Sequence, residues 1–396
     1  MKDNYLFPEL LNKYIDRWNK TPAEITVHTK KNYTKENDRN LILLKKTFLK
    51  WLKDGNQLSE LKDAGNQRVI KEKVIDFMVH TLGIEKWVCE ILDNEGYYEV
   101  THKFIELSKD TIDGISFDDI FQALRNIWVI VALQIYMGEE VRLTDAMFAY
   151  SMLYPLTDNY LDNPNIPLEE KSAFNDRFYK KIHSSINEPA NEDESRIFHM
   201  IDLIASDFPR DRFPDVFKGL LTILDGQKKS LEQHRSNDLS DTTLLHYTLY
   251  KGGASVLADA FLVRGSLSEN EADFAYGYGI ILQLADDLQD IRSDSINGHC
   301  TPYNRKARTG PLDDLFQKHE NFTMHFMNHT FQTKTEKQKA IHQLIDRSLE
   351  LLLFGGVCDN KKLFSGRFLK QYRRKSLFSF KAFRRLNKRI NKKIIL

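Results

Sequence analysis

The chain has 396 residues, 41% of them hydrophobic and 29% charged, with a formal net charge of +1. That length admits one large domain or two ordinary ones, and the apolar share suffices for a sizeable buried core. The three widely spaced cysteines, Cys89, Cys300 and Cys358, argue against a disulfide framework or a zinc site and make a reducing cytoplasm the default compartment. The longest uninterrupted apolar stretch, Ile127 to Leu133, falls far short of the ~20 residues a membrane-spanning helix needs. No apolar run follows the opening Met-Lys-Asp-Asn, so no secretory signal is expected.

Ten prolines and 18 glycines are few for this length, which leaves room for long helices. Apolar residues recur at three- and four-residue spacing almost everywhere, and alternating strand-like runs are scarce. The expectation is an all-α, single-domain antiparallel helical bundle of ten or more helices with a cavity at one end. Residues 1–120, with Ile75, Met78, Val79 and Leu82 on one helical face, read as N-terminal helices packed on the bundle. Residues 121–360 form the bundle, opening with the face Phe121, Leu124, Trp128 and Val131. Stops are expected at Asp54-Gly55-Asn56, Asp113-Gly114, Asn163-Pro164-Asn165, Phe208-Pro209-Arg210 and Asn297-Gly298.

Two acidic clusters punctuate the bundle. In the first, Asp158 and Asp162 stand four apart and share one side of a helix that Pro164 brings to a stop. Stacked like charges repel by a few tenths of a kcal/mol on an exposed helix. A cation between them removes that cost, and the negative end of the helix dipole favours the same ion. The plainer alternative is a solvated last turn of ordinary acids. The second cluster runs Gln283-Leu-Ala-Asp286-Asp287-Leu-Gln-Asp290-Ile-Arg-Ser-Asp294. A capping box of Ser268 and Glu271 opens its helix and Asn297-Gly298 closes it. Asp286, Asp290 and Asp294 then form one stripe continuing the inward face of Leu282.

Mg²⁺ prefers oxygen ligands and often takes only one or two carboxylates, filling its shell with water and substrate phosphate. Two such stripes facing each other across a bundle mouth could hold two or three Mg²⁺ ions on a diphosphate and neutralise the charge that builds as its C–O bond breaks. With 25 Phe, 16 Tyr and 4 Trp the chain has the material for an aromatic cavity that excludes water from a carbocation. No quenching base can be named.

At these residues the chain resembles the class I isoprenoid (terpene) synthase superfamily. Asp158 to Asp162 is similar to the DxxxD first motif of squalene and phytoene synthases and of large terpene synthases of the tetraprenyl-β-curcumene synthase type. Asp286, Asp290 and Asp294 match the spacing of the terpene-cyclase metal triad, with Asp at all three places. Gln283 to Asp290 equally resembles the QxxDDxxD motif of chain-elongating prenyltransferases. The resemblance covers about residues 120–350. It implies that Asp158, Asp162, Asp286, Asp290 and Asp294 are metal-binding and catalytic. Lys251, in a segment similar to one that contacts diphosphate, is implied in substrate binding together with Arg235 and Gln283. The chain lacks a Gly-Lys-Arg-x-Arg-type site for isopentenyl diphosphate and a DDxxD first motif, both expected of a chain-elongating enzyme. The implied activity is Mg²⁺-dependent ionisation of a linear prenyl diphosphate, with cyclisation or elimination to a hydrocarbon and release of pyrophosphate. Rivals are a prenyl-transferring or head-to-head condensing enzyme and a non-catalytic helical protein that binds a membrane or a partner.

Residues 361–396 hold 14 Lys or Arg and no Asp or Glu, leaving a body of net charge −13. From Ser376 onward, Leu377, Phe380, Phe383, Leu386, Ile390 and Ile394 fall at helical spacing between Lys and Arg. This tail reads as a basic amphipathic helix for an anionic membrane surface, which would make a cytoplasmic protein peripheral to the inner face of the membrane. A disordered tail, a partner groove and nucleic-acid contact compete with that reading, and nucleic acid is not expected. A homodimer is compatible with the resemblance.

Overall fold

Side-chain caps decide where the helices begin. Ser116, Thr144, Asn191, Ser240 and Thr335 each accept a hydrogen bond from the backbone N–H three residues on. Gly138 and Gly265, at φ +76° and +84°, close two helices in the left-handed region that favours glycine. The computed structural model describes residues 6–24, 33–43, 64–163, 165–184, 188–235 and 239–385. Among the described residues every regular element is helical and no strand forms, as the three-and-four spacing predicts. The longer elements are α1 (Pro8–Lys20), α2 (Ala64–His80), α3 (Lys86–Asn94), α4 (Tyr97–Thr111), α5 (Phe117–Met137), α6 (Asp145–Asp162), α7 (Leu168–Ser184) and α8 (Glu192–Asp207). They continue as α9 (Pro214–Arg235), α10 (Asp241–Arg264), α11 (Glu269–Gln289), α12 (Ile291–Ile296), α13 (Pro302–Thr309), α14 (Asp313–His329), α15 (Glu336–Asp359) and α16 (Gly366–Tyr372).

Two compact units emerge, Met1–Asp16 with Glu95–Gln283 and Arg17–Asn94 with Leu284–Leu396. Their limits differ from the divisions at residues 120 and 360 that composition proposes.

In the first unit α10 is buried from Tyr247 to Val263 except at Lys251 and Ser255, as befits a helix that is apolar all round. Glycines let its neighbours approach backbone to backbone. A Cβ at Gly279 of α11 would lie 2.1 Å from the Gly252 carbonyl oxygen, and one at Gly226 of α9 would lie 3.1 Å from the Lys251 Cα. The stretch Asp118–Met137 is long and apolar enough to cross a membrane, although its uninterrupted apolar run is short. Its window is 61% buried inside the protein, the condition of a core helix.

The second unit is built around aromatic rings. Phe316 of α14 meets Phe364, Phe368 and Tyr372 edge to face, with centroids 5.1 to 5.7 Å apart. This core also takes in Phe378, Ala382 and Phe383, with Leu377 and Phe380 packed against it. The apolar stripe assigned to a membrane surface is therefore committed, through Phe383, to the unit's own interior. Leu386, Ile390 and Ile394 lie outside the described residues.

Candidate active site

The first acidic pair stands where the sequence puts it. Helix α6 ends at Asp162, and Asn163 turns extended ahead of Pro164, so Asp158 and Asp162 occupy its final turns. Asp158 is exposed and accepts a hydrogen bond from Gln122 Nε2 at 3.0 Å. Thr157 beside it donates to the Leu153 carbonyl at 2.6 Å. Two turns upstream Tyr150 and Tyr154 continue the same row, because residues 150, 154, 158 and 162 are each four apart. Sequence reasoning missed these tyrosines, although the spacing alone would have found them. It also passed over Pro155, which sits inside α6 and cannot donate to the carbonyl one turn back.

Tyr150 and Tyr154 of that row line a partly open cleft. Tyr150, Leu153, Tyr154 and Thr157 of α6 form one wall, Phe178 and Ile182 of α7 another, and α9 closes it with residues that include Leu224 and Gln227. The walls are mostly apolar, the ordinary make-up of a small-molecule site. The Tyr150 and Tyr154 hydroxyls lie 3.2 Å apart, and burial pushes both phenols well above their usual range, so they stay neutral.

Asp259 of α10, 1% exposed, accepts from Asn126 Nδ2 at 2.9 Å, and the same amide donates to Ser151 Oγ at 3.1 Å. Burial drives this carboxyl far above the normal acid range despite the Asn126 hydrogen bond, which keeps it protonated. Asp259 is a second residue the sequence did not flag.

Below the cleft's α9 wall, Gly226 rests on Lys251. The Lys251 side chain is half-buried and forms no ion pair among the described residues. A half-buried ammonium without a counter-charge favours an incoming anion. A Cβ at Gly252 would meet the Gln283 Cβ at 2.5 Å, so Lys251 and Gln283 stand at one level on adjoining helices. Arg235 closes α9, and its side chain lies outside the described residues.

The second cluster belongs to the other unit from Leu284 onward. The Ser268–Glu271 capping box is present, with the Ser268 N–H donating to Glu271 Oε2 at 2.8 Å. The uninterrupted stripe is not. Helix α11 stops at Gln289, and Asp290 is the N-cap of the short α12 that carries Asp294. Leu282 is half-buried rather than fully inward, and Asp286 and Asp290 are exposed. Contacts at the end of α11 explain the break. Asn360 Nδ2 donates to the Leu288 carbonyl at 2.7 Å, and Gln289 Nε2 donates to the Leu352 carbonyl at 3.3 Å. Asp287 is 3% exposed, on the side away from its solvated neighbours. Asp294 is half-buried with His299 Nδ1 at 3.5 Å, an ion pair only when that histidine is protonated.

Among the described residues no three His, Cys, Asp or Glu side chains gather as a ready metal cage. Exposed carboxylates at helix ends nevertheless fit Mg²⁺, which is commonly held by one or two of them with phosphate and water completing the shell.

No protein-family model and no curated protein matches the sequence. Among solved structures, a geranyltransferase from Legionella pneumophila is similar over 70% of this chain and 99% of its own, at 13% identity and a TM-score of 0.37.

Proposed function

We propose that this chain is a Mg²⁺-dependent enzyme of isoprenoid chemistry that ionises a linear prenyl diphosphate. The observation that carries the reading is the α6 row, where the exposed Asp158 carboxylate stands one turn from Tyr154 and the tyrosine-walled apolar cleft. Asp158, Asp162, Asp286, Asp290 and Asp294 would hold the ions, and Lys251, Gln283 and Arg235 would contact the diphosphate. Mg²⁺ supplies neutralisation of the charge that collects on the leaving group. Lys251 binds and orients the diphosphate as a point charge. The cleft walls hold the hydrocarbon chain and exclude water. The phenyl and phenol faces of Phe178, Tyr150 and Tyr154 stabilise the allylic cation by cation–π contact. Loss of a proton from the carbon next to the cationic centre then gives an olefin, with or without ring closure.

A second reading, prenyl transfer to another substrate, shares the ionisation step. The break at Asp290 favours it, because the break detaches Asp294 from α11 and leaves the Gln283, Asp286 and Asp290 part of the motif on or at the end of one helix. Purified protein, Mg²⁺ and a panel of C10 to C35 diphosphates analysed by mass spectrometry separate the readings. A terpene synthase releases hydrocarbon and pyrophosphate from one substrate. A condensing enzyme forms a longer product, and only when a second substrate is present or when two identical chains join. Silence with every diphosphate refutes both.

A further inference from the structure

The sequence reads residues 361–396 as an amphipathic membrane helix, and the part of that segment up to residue 385 packs its apolar side chains into the second unit. Phe364, Phe368, Tyr372, Phe378 and Phe383 are all buried in the second unit. What remains outside is charge. Lys361, Lys362, Arg367, Lys370, Arg373 and Arg374 are exposed, and none forms an ion pair among the described residues. Lys375, by contrast, pairs with Glu320 at 2.8 Å. On α16, Phe368 and Tyr372 mark the inward face, while Arg367 and Lys370 lie three apart on the opposite one and Arg374 follows in the 3-10 turn Arg373–Lys375. No Asp or Glu occurs from residue 361 to the end of the chain, so nothing in the segment dilutes this field.

We propose that the exposed cationic face of residues 361–374 docks the second unit on an anionic lipid surface by charge, with the aromatic rings of that segment kept in the unit's own core. A row of unpaired Lys and Arg is complementary to a dense layer of lipid phosphates. Single-stranded nucleic acid is the less suitable polyanion, because the aromatic rings on which bases would stack are turned into the core. The inference is independent of the proposed chemistry.

Vesicle co-sedimentation tests it. The whole protein is mixed with vesicles of phosphatidylcholine, alone or with phosphatidylglycerol, at low and high salt. It should bind only the phosphatidylglycerol vesicles and come off as salt rises. Each cation removed should weaken binding about fivefold, so Arg367→Glu, Lys370→Glu and Arg374→Glu combined should cost about a hundredfold or more. If the triple variant melts early, Lys370→Glu alone should still cost at least about fivefold. Equal binding to neutral vesicles, salt-insensitive binding, undiminished binding by the folded variants, or stronger binding to a polynucleotide than to the vesicles would each overturn the proposal. Turnover of a short, water-soluble prenyl diphosphate is read in parallel. It should be the same in the variants and the parent, so failure of the surface and failure of the chemistry are told apart.

Discussion

The ends of α6 and α11 carry similar acidic patterns in dissimilar settings. At α6 the helix runs unbroken to Asp162, and the face that bears Asp158 leads directly to Tyr154, Tyr150 and a cleft within the same unit. At α11 the helix is stopped by neighbours that hold Leu288 and Gln289, so Asp294 departs on a separate short helix. Equal i, i+4 spacing therefore gave one intact stripe and one divided one. Spacing fixes register only while the helix lasts, and at the end of α11 the Leu288 carbonyl is taken by the Asn360 side chain, 72 residues away, while Gln289 reaches the Leu352 carbonyl, 63 residues away.

The largest expected effect on stability would break the bracing beside the α6 site. Glu194 is fully buried and holds Arg177 through a hydrogen bond to Nε at 3.0 Å and a contact to Nη2, with the Tyr160 hydroxyl donating at 3.2 Å. Glu194→Ala leaves that guanidinium to Glu170 alone, at 2.5 Å, removes the acceptor of the Ala190 N–H and the Tyr160 hydroxyl, and should cost about 3 kcal/mol in chemical denaturation. Burial alone would raise the Glu194 pKa, but Arg177, the Ala190 N–H and Tyr160 together bring it below its ordinary value of 4.5. Its contribution is therefore present above that value and fades as the pH falls beneath it. A melt whose acid limb is the same in parent and variant would contradict this.

Gly279→Ala comes next. Its methyl group would collide with the Gly252 backbone, so α10 and α11 must part, at a cost of about 1–3 kcal/mol. Because Gln283 lies one turn along, turnover should fall in the same variant, and a fully stable, fully active protein would show that the close approach does not position the site.

Lys251→Gln should raise KM for the diphosphate about tenfold, near 1.4 kcal/mol, with the melting temperature nearly unchanged. An unchanged KM would remove Lys251 from substrate binding.

Asp259→Asn should have the smallest effect and the opposite sign. The parent acid is held above its ordinary 3.8 in the folded state, so its contribution is complete below that value and is lost as the pH rises. An amide keeps the Asn126 hydrogen bond without the titration, and the variant should be modestly more stable than the parent at neutral pH. Destabilisation there would mean that the acid is matched by a charge.

The helices, most of the stops between them and the place of Asp158 and Asp162 at the end of α6 were legible because caps, prolines and periodicity act locally. Asp259 was not, since its meaning comes from Asn126, 133 residues earlier in the chain. The tail misled for a related reason. An apolar stripe at helical spacing has the same appearance whether lipid or a ring of its own unit covers it, and Phe354 of α15 meets Phe380 and Phe383 with centroids 5.4 and 5.2 Å away. The break at Asp290 was hidden because no proline or glycine marks it.

The central claim is that the acids at the end of α6 hold Mg²⁺ on the diphosphate. Calorimetric titration of a non-hydrolysable prenyl diphosphate analogue with Mg²⁺, on the parent, Asp158→Asn and Asp162→Asn, tests it most directly. The account predicts Mg²⁺-dependent binding by the parent that each single change weakens substantially. Binding that ignores both Mg²⁺ and the substitutions would contradict it.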